Sequence, residues 1–225
     1  MVGVNNPEDG VSSLKTVLCY GDSLTWGYSP TGLGRHAHMD RWPSVLAAAL
    51  GPDVSVIAEG LNGRTTAFDD HLADCDRNGA RILPTMLQTH APLDLVIIML
   101  GANDMKPFIC GCAIGAKQGM ARLVGITRGH AYPHDAKPPR VLLVSPPPLT
   151  ATKDADFAAV FDGGVAESGK LAGLYAEVAT EMDCGFFDAG LVARATSLDG
   201  VHLDAENTRA VGRELAPVVR GMLGL

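Results

Sequence analysis

The run Leu93-Asp94-Leu95-Val96-Ile97-Ile98-Met99-Leu100 limits the fold more than any other stretch of the chain. It is apolar almost throughout and does not alternate, so a strand built from it must bury both faces, which is the habit of a central parallel strand. It ends in Gly101-Ala102-Asn103-Asp104. On either side of it, strand-like and helix-like segments take turns. Strands are expected at 16–20, 54–58, 93–100, 140–145 and 185–188, and helices at 41–50, 80–90, 114–129, 165–182 and 205–223. That order predicts an α/β fold with a doubly wound parallel sheet of about five strands and helices on both faces. A length of 225 residues suits one such domain and is short for two. Residues 1–15 read as a flexible leading segment and 16–225 as the domain.

Composition removes several function classes. The formal net charge is -7, and 18 Lys and Arg residues face 25 Asp and Glu. No basic stripe is present to hold a phosphate backbone or an anionic membrane surface, so neither nucleic acid nor membrane is an expected partner. No run approaches the ~20 apolar residues of a membrane span. Residues 1–15 are polar and lack the apolar stretch of a secretory leader. Five cysteines, an odd number with no evident framework, fit a reducing compartment, and a cytoplasmic location is expected. Cys110 and Cys112 are one residue apart, which is not the spacing of a zinc ribbon or a thioredoxin motif. No metal or other cofactor is expected.

In a doubly wound sheet the ligand site lies beyond the carboxyl ends of the strands. The segment Gly21-Asp22-Ser23-Leu24-Thr25-Trp26-Gly27 stands there, directly after the first strand. A serine in a tight turn between a strand and a helix presents its hydroxyl outside the sheet and its own N–H to an oxyanion, so Ser23 is a candidate nucleophile. The competing reading is that Asp22 or Ser23 merely caps the next helix. Residues 28–40 and 68–78 are long aperiodic loops at the same edge, where either can narrow the mouth of a site.

Serine hydrolysis needs a base, a group to orient it and donors for the oxyanion. His202 is the candidate base. Asp199, three residues earlier in the same turn, reaches its Nδ1 if the turn folds back. Asn103 and the Gly63 N–H join the Ser23 N–H as candidate oxyanion donors, with Gly60 as the alternative glycine. Each also has an ordinary role open to it, as a loop histidine, a turn former, a helix cap or a turn glycine. His36, His38, His71, His90, His130 and His134 lack a carboxylate in such a turn and are expected on the surface.

Taken together, Gly21-Asp22-Ser23-Leu24, Gly63 in its turn, Gly101-Ala102-Asn103-Asp104 and Asp199-Gly200-Val201-His202 resemble the SGNH (GDSL) hydrolase family from about Lys15 to the end of the chain. The resemblance implies a flavodoxin-like SGNH hydrolase fold, with Ser23 as nucleophile, His202 as base, Asp199 as its orienter, and Ser23, Gly63 and Asn103 around the oxyanion. The segments 21–27, 61–66, 93–104 and 144–149 look like the bacterial arylesterase and acyltransferase branch. That likeness implies a serine esterase acting on small carboxylic esters, aryl and acetyl esters above all. It also implies transfer of the acyl group to alcohols or peroxide and assembly into a homo-oligomer. Trp26, Phe68, Phe108 and Ile109, which follow the motif turns, are the expected pocket residues, whereas Phe157 and Phe161 are assigned first to core packing. Two rival readings stand beside this one. The same site suits a carbohydrate deacetylase or a lysophospholipase. The chain also fits a non-catalytic flavodoxin-like binding module with the 21–27 turn as a phosphate nest, although no Gly-x-Gly-x-x-Gly or Walker A motif is present.

Overall fold

The computed structural model describes residues 14–32 and 34–225. Strands β1 (Lys15–Gly21), β2 (Val54–Gly60), β3 (Leu95–Met99), β4 (Arg140–Ser145) and β5 (Gly185–Asp188) form one parallel sheet in the order β2-β1-β3-β4-β5. The chain winds outward from β1 to β2 and then crosses back to β3. A crevice therefore opens between the carboxyl ends of β1 and β3, the switch point at which doubly wound sheets bind ligands.

Unbroken apolar strands serve two cores at once because successive side chains point to opposite faces. Val17, Cys19, Leu95, Ile97 and Met99 meet helices α2 (Trp42–Leu50) and α8 (Ala205–Leu223) through Trp42, Leu46, Val211 and Leu215. Leu18, Tyr20, Val96 and Ile98 meet α3 (Gly79–His90), α4 (Ala113–Gly129) and α7 (Leu171–Glu181) through Leu83, Leu87, Met120, Leu123 and Tyr175. Truncating one such side chain to alanine costs about 2–5 kcal/mol, so both faces fix the sheet firmly. Asp94, the polar residue of the run, sits just before β3. Its carboxylate accepts from the Thr16 N–H at 2.8 Å and Lys15 Nζ at 3.0 Å, closing the edge of the sheet opposite the crevice.

Three expectations need correction. The helix expected over 165–182 is two helices, α6 (Gly164–Ser168) and α7, because the chain breaks at Gly169 and Ser168 Oγ turns inward to accept the Leu149 N–H at 2.9 Å. A further short helix, α5 (Ala155–Val160), precedes them, started by the Asp154 carboxylate accepting from the N–H groups of Asp156 and Phe157. His36 and His90 are partly buried rather than superficial: His36 Nε2–H donates to the Leu203 carbonyl at 2.9 Å, and His90 Nε2 lies 2.8 Å from Glu59 Oε1. Of the leading segment assigned to 1–15, residues 1–13 lie outside those described, and Lys15 already belongs to β1. Among the described residues no helix is long and apolar enough to cross a membrane.

Candidate active site

The crevice is built from strand ends. After β1 stops at Gly21, Asp22 caps a one-turn helix, α1 (Ser23–Trp26): its Oδ1 accepts the Leu24 N–H at 2.9 Å and its carbonyl accepts from Thr25 and Trp26 at 3.1 and 2.9 Å. Capping and presentation of the serine are thus divided between neighbours, Asp22 holding the turn and Ser23 facing the crevice. His202 Nε2 stands 2.9 Å from Ser23 Oγ, and His202 Nδ1 stands 2.7 Å from Asp199 Oδ2, although Ser23 and His202 are 179 residues apart in sequence.

The turn that folds Asp199 back onto His202 depends on Gly200, whose φ is +79° and where a Cβ would stand 2.5 Å from the Thr150 carbonyl oxygen. Asp199 Oδ1 accepts the N–H groups of both Val201 and His202 at 2.9 Å. Burial raises the proton affinity of Asp199, but the His202 ring and these two N–H groups outweigh it and hold the carboxyl below its ordinary range. An ionised Asp199 can only accept, so Nδ1 carries the proton and Nε2 offers a lone pair to the Ser23 hydroxyl.

Ser23, Gly63 and Asn103 line one cavity of about 280 Å³ together with His202. Neither the Ser23 N–H nor the Gly63 N–H donates to an acceptor among the described residues. The two glycines of this turn have different work. A Cβ on Gly60 would stand 2.2 Å from Trp26 N, so Gly60 lets α1 rest on β2, whereas Gly63, at φ +80°, borders the cavity. Asn103 Nδ2 donates to the Arg64 carbonyl at 3.2 Å and to Asp22 Oδ2 at 3.3 Å, which steadies its amide at the cavity wall.

Beneath the site, side chains bind the three strand ends to one another. Arg64 Nη1 donates to the carbonyls of Gly21, at 2.8 Å, and Glu59, with its guanidinium 4.0 Å over the Tyr20 ring. Asp104 accepts the Thr66 N–H at 2.9 Å and the Thr66 hydroxyl. Burial pushes Asp22 and Asp104 each up to about 6, against the opposing pull of their hydrogen-bond donors.

The opposite wall is apolar. The Tyr28 ring lies 4.2 Å from the His202 ring, Phe157 meets His202 edge-on at 6.1 Å, and Phe161 stacks on Phe157 at 6.3 Å. Val160 and Val201 complete it, while Asn62, Lys106 and Asp156 are further polar residues of the cavity lining. This wall differs from the expected one. Trp26 lies outside the lining, its ring under the Arg35 guanidinium at 4.5 Å and its carbonyl taking the Arg35 Nε–H at 2.6 Å. Phe68 packs on the first turn of α4, with Cζ 3.3 Å from where a Gly115 Cβ would stand. Phe108, 52 % exposed, and Ile109 also lie outside the lining, because the chain turns at Lys106, whose carbonyl accepts the Ile109 N–H at 2.9 Å, and leaves Lys106 on the cavity. Phe157 and Phe161, assigned to the core, line the cavity instead. The loop 28–40 supplies Tyr28; the loop 68–78 supplies no lining residue.

Residues 19–210 match the GDSL-like lipase/acylhydrolase family. The chain belongs to that family. As a GDSL-like acylhydrolase it is a carboxylic ester hydrolase, and its sheet is that of the SGNH hydrolase fold. Three solved structures are similar to it. A carbohydrate acetylesterase family member from Sinorhizobium meliloti is 68% identical with a TM-score of 0.92, over 94% of this chain and 100% of that one. The M. smegmatis aryl esterase is 43% identical with a TM-score of 0.88, over 93% and 100%. A second carbohydrate acetylesterase from Sinorhizobium meliloti is 40% identical with a TM-score of 0.87, over 92% and 99%. No curated protein matches the chain.

Missed from the sequence were Tyr28, Asn62, Lys106 and Asp156. Three of them adjoin motif residues: Tyr28 follows Gly27, Asn62 precedes Gly63, and Lys106 is two residues past Asp104. That adjacency was the available signal.

Proposed function

We propose that this GDSL-like hydrolase cleaves small acetyl and aryl esters through an acyl-enzyme on Ser23. The observation that carries the proposal is the unbroken relay from Asp199 through His202 to Ser23, with spacings of 2.7 and 2.9 Å, ending at a cavity bordered by the N–H groups of Ser23 and Gly63, which find no acceptor among the described residues. In the first step Ser23 Oγ attacks the ester carbonyl carbon while its proton passes to His202 Nε2. Asp199 stabilises the imidazolium and keeps its orientation. Negative charge gathers on the carbonyl oxygen, where the Ser23 and Gly63 N–H groups stabilise it, joined by the Asn103 amide as it exchanges its long contact with Asp22. The alkoxide or phenoxide leaves with the proton from His202. Water, activated by the same imidazole, then releases the acid.

The cavity lies at the small end of ligand pockets, which favours short acyl groups and sets the lysophospholipase reading behind. The carbohydrate acetyl ester reading draws support from Asn62, Lys106 and Asp156 among the apolar walls and from the acetylesterase relatives. Acyl transfer to alcohols or peroxide belongs to the same proposal, since an acyl-enzyme facing apolar walls is open to any nucleophile that outcompetes water. Hydrolysis of p-nitrophenyl acetate through octanoate, set beside acetylated sugars and lysolipids, tests the reading. Fastest turnover at acetate supports it; a maximum at octanoate or a preference for lysolipids overturns it. A cytoplasmic homo-oligomer is also proposed, supported by five free thiols and by the exposed apolar side chains of Leu72, Phe108 and Ile114. Light scattering on a sizing column that returns the mass of one chain refutes the oligomer.

A further inference from the structure

Among the described residues Lys106 is, apart from His202, the only basic side chain lining the cavity. Among the described residues the other Lys and Arg side chains sit within 4.0 Å of a carboxylate or donate to a main-chain carbonyl, apart from Arg122, Lys137, Lys153 and Arg194, which are exposed to water. Lys106 does neither and is not exposed. Its ammonium, half-buried, lies 5.6 Å from the centre of the Phe161 ring on the apolar wall, and no ion pair or side-chain hydrogen bond engages it among the described residues. In a chain with more carboxylates than cations, an unmatched ammonium facing an apolar cavity is a charge in want of an acceptor. Burial lowers its hold on the proton, partly offset by the Asp70 and Asp22 carboxylates, and an anion arriving in the cavity restores it.

We infer that Lys106 is a specificity-determining residue that reads an anionic group on the substrate, so that the cavity favours esters carrying a carboxylate on their acyl or alcohol part over neutral esters of the same shape. This rests on the esterase reading of the same site. Lys106 makes no contact with the relay from Asp199 to Ser23, so its charge acts on which ester is held, not on the proton transfers. Asp156 also lines the cavity and has the opposite sign. It is exposed in the first turn of α5 and forms no ion pair with Lys106, so water screens it more fully than the half-buried ammonium. The main-chain role of Lys106, donating its N–H to the Asn103 carbonyl at 3.3 Å and accepting from Ile109 and Cys110, survives a change of side chain.

The test compares kcat/KM for charged and neutral partners of one ester. On the alcohol side these are 4-acetoxybenzoate and its methyl ester; on the acyl side they are mono-p-nitrophenyl glutarate and its methyl ester, with spontaneous hydrolysis subtracted. The ratio of charged to neutral should fall roughly tenfold or more in Lys106→Met, as befits a lost charge-assisted hydrogen bond, recover in Lys106→Arg, and rise in Asp156→Asn. A fall in one pair alone tells which part of the ester carries the anion. A ratio that Lys106→Met leaves within about twofold for both pairs overturns the inference, as does an equal loss for charged and neutral esters. Fluorophosphonate labelling of Ser23 separates this from failure of the esterase reading: a labelled, active enzyme with an unchanged ratio loses only the role of Lys106, whereas an enzyme that neither labels nor turns over any of the esters loses both.

Discussion

One wall of the cavity, holding Ser23, Gly63 and Asn103, hangs from the ends of β1, β2 and β3, whereas the other, holding Tyr28, Phe157 and Phe161, comes from a loop and a short helix. The first is fixed by hydrogen bonds: Asp22 to Leu24, Arg64 to Gly21, Asp104 to Thr66. The second is held by ring contacts at 4.2 to 6.3 Å, which tolerate substitution and repacking. In the proposed mechanism the chemistry draws on the first wall and the fit of the acyl group on the second. A change on the first should fall on kcat and a change on the second on the choice of ester.

The contrast can be broken most sharply at the relay. Replacing His202 with alanine should lower kcat on p-nitrophenyl acetate roughly 10⁴-fold, and Asp199→Asn should approach that loss by removing the acceptor that sets the tautomer. Steady-state rates check this, and a loss under tenfold in either variant contradicts the relay. Next in size is Asn103→Ala, expected to cost about a hundredfold in kcat with little change in KM. A loss confined to KM would move Asn103 from the oxyanion to substrate binding.

Phe157→Ala carries the comparison to the other wall. It should shift the best acyl chain toward longer esters and lower kcat/KM for acetate by roughly tenfold, the worth of lost apolar contact. An unchanged chain-length profile would return Phe157 to the role of core packing. That role was the sequence's own suggestion, and the reason it misled is physical. Phe157 and Phe161 are four residues apart on one helical face, and such spacing cannot say whether the face meets a core or a cavity. The rigid wall was legible because its residues are tied to strand ends: Ser23, Asn103 and Gly63 each follow an apolar run by a few positions, and chain order alone places them at one edge. Lys106 was within reach of the same logic, two residues past Asp104. Tyr28 adjoins the motif too, but its place over His202 depends on the path of the loop beyond it, where Tyr28 pairs with Arg35. The break at Gly169 was hidden as well, because Gly169 and Lys170 keep right-handed helical angles and the apolar positions that mark the helix, Leu171 to Val178, all lie after it.

The smallest expected effect concerns stability under the rigid wall. Burial holds the Asp104 carboxyl at about 6 in the folded chain, above its value in the unfolded one. The folded state therefore takes up this proton first as pH falls. The stability it contributes is complete below the unfolded value near ~4 and is lost as pH rises through about 6. Asp104→Asn lacks that gain while keeping an acceptor for the Thr66 N–H. Urea unfolding should show wild type improving relative to Asp104→Asn between pH 7 and pH 5, and a difference independent of pH would show that Asp104 does not titrate there.

The central claim is that Ser23, 6 % exposed at the floor of the cavity, carries the acyl group. Peptide mapping after treatment with a fluorophosphonate tests it most directly, run beside p-nitrophenyl acetate turnover on wild type and Ser23→Ala. A single adduct on the peptide containing Ser23, absent from the variant together with turnover, is the predicted result. An adduct on another residue, or turnover that survives in Ser23→Ala, would contradict the account.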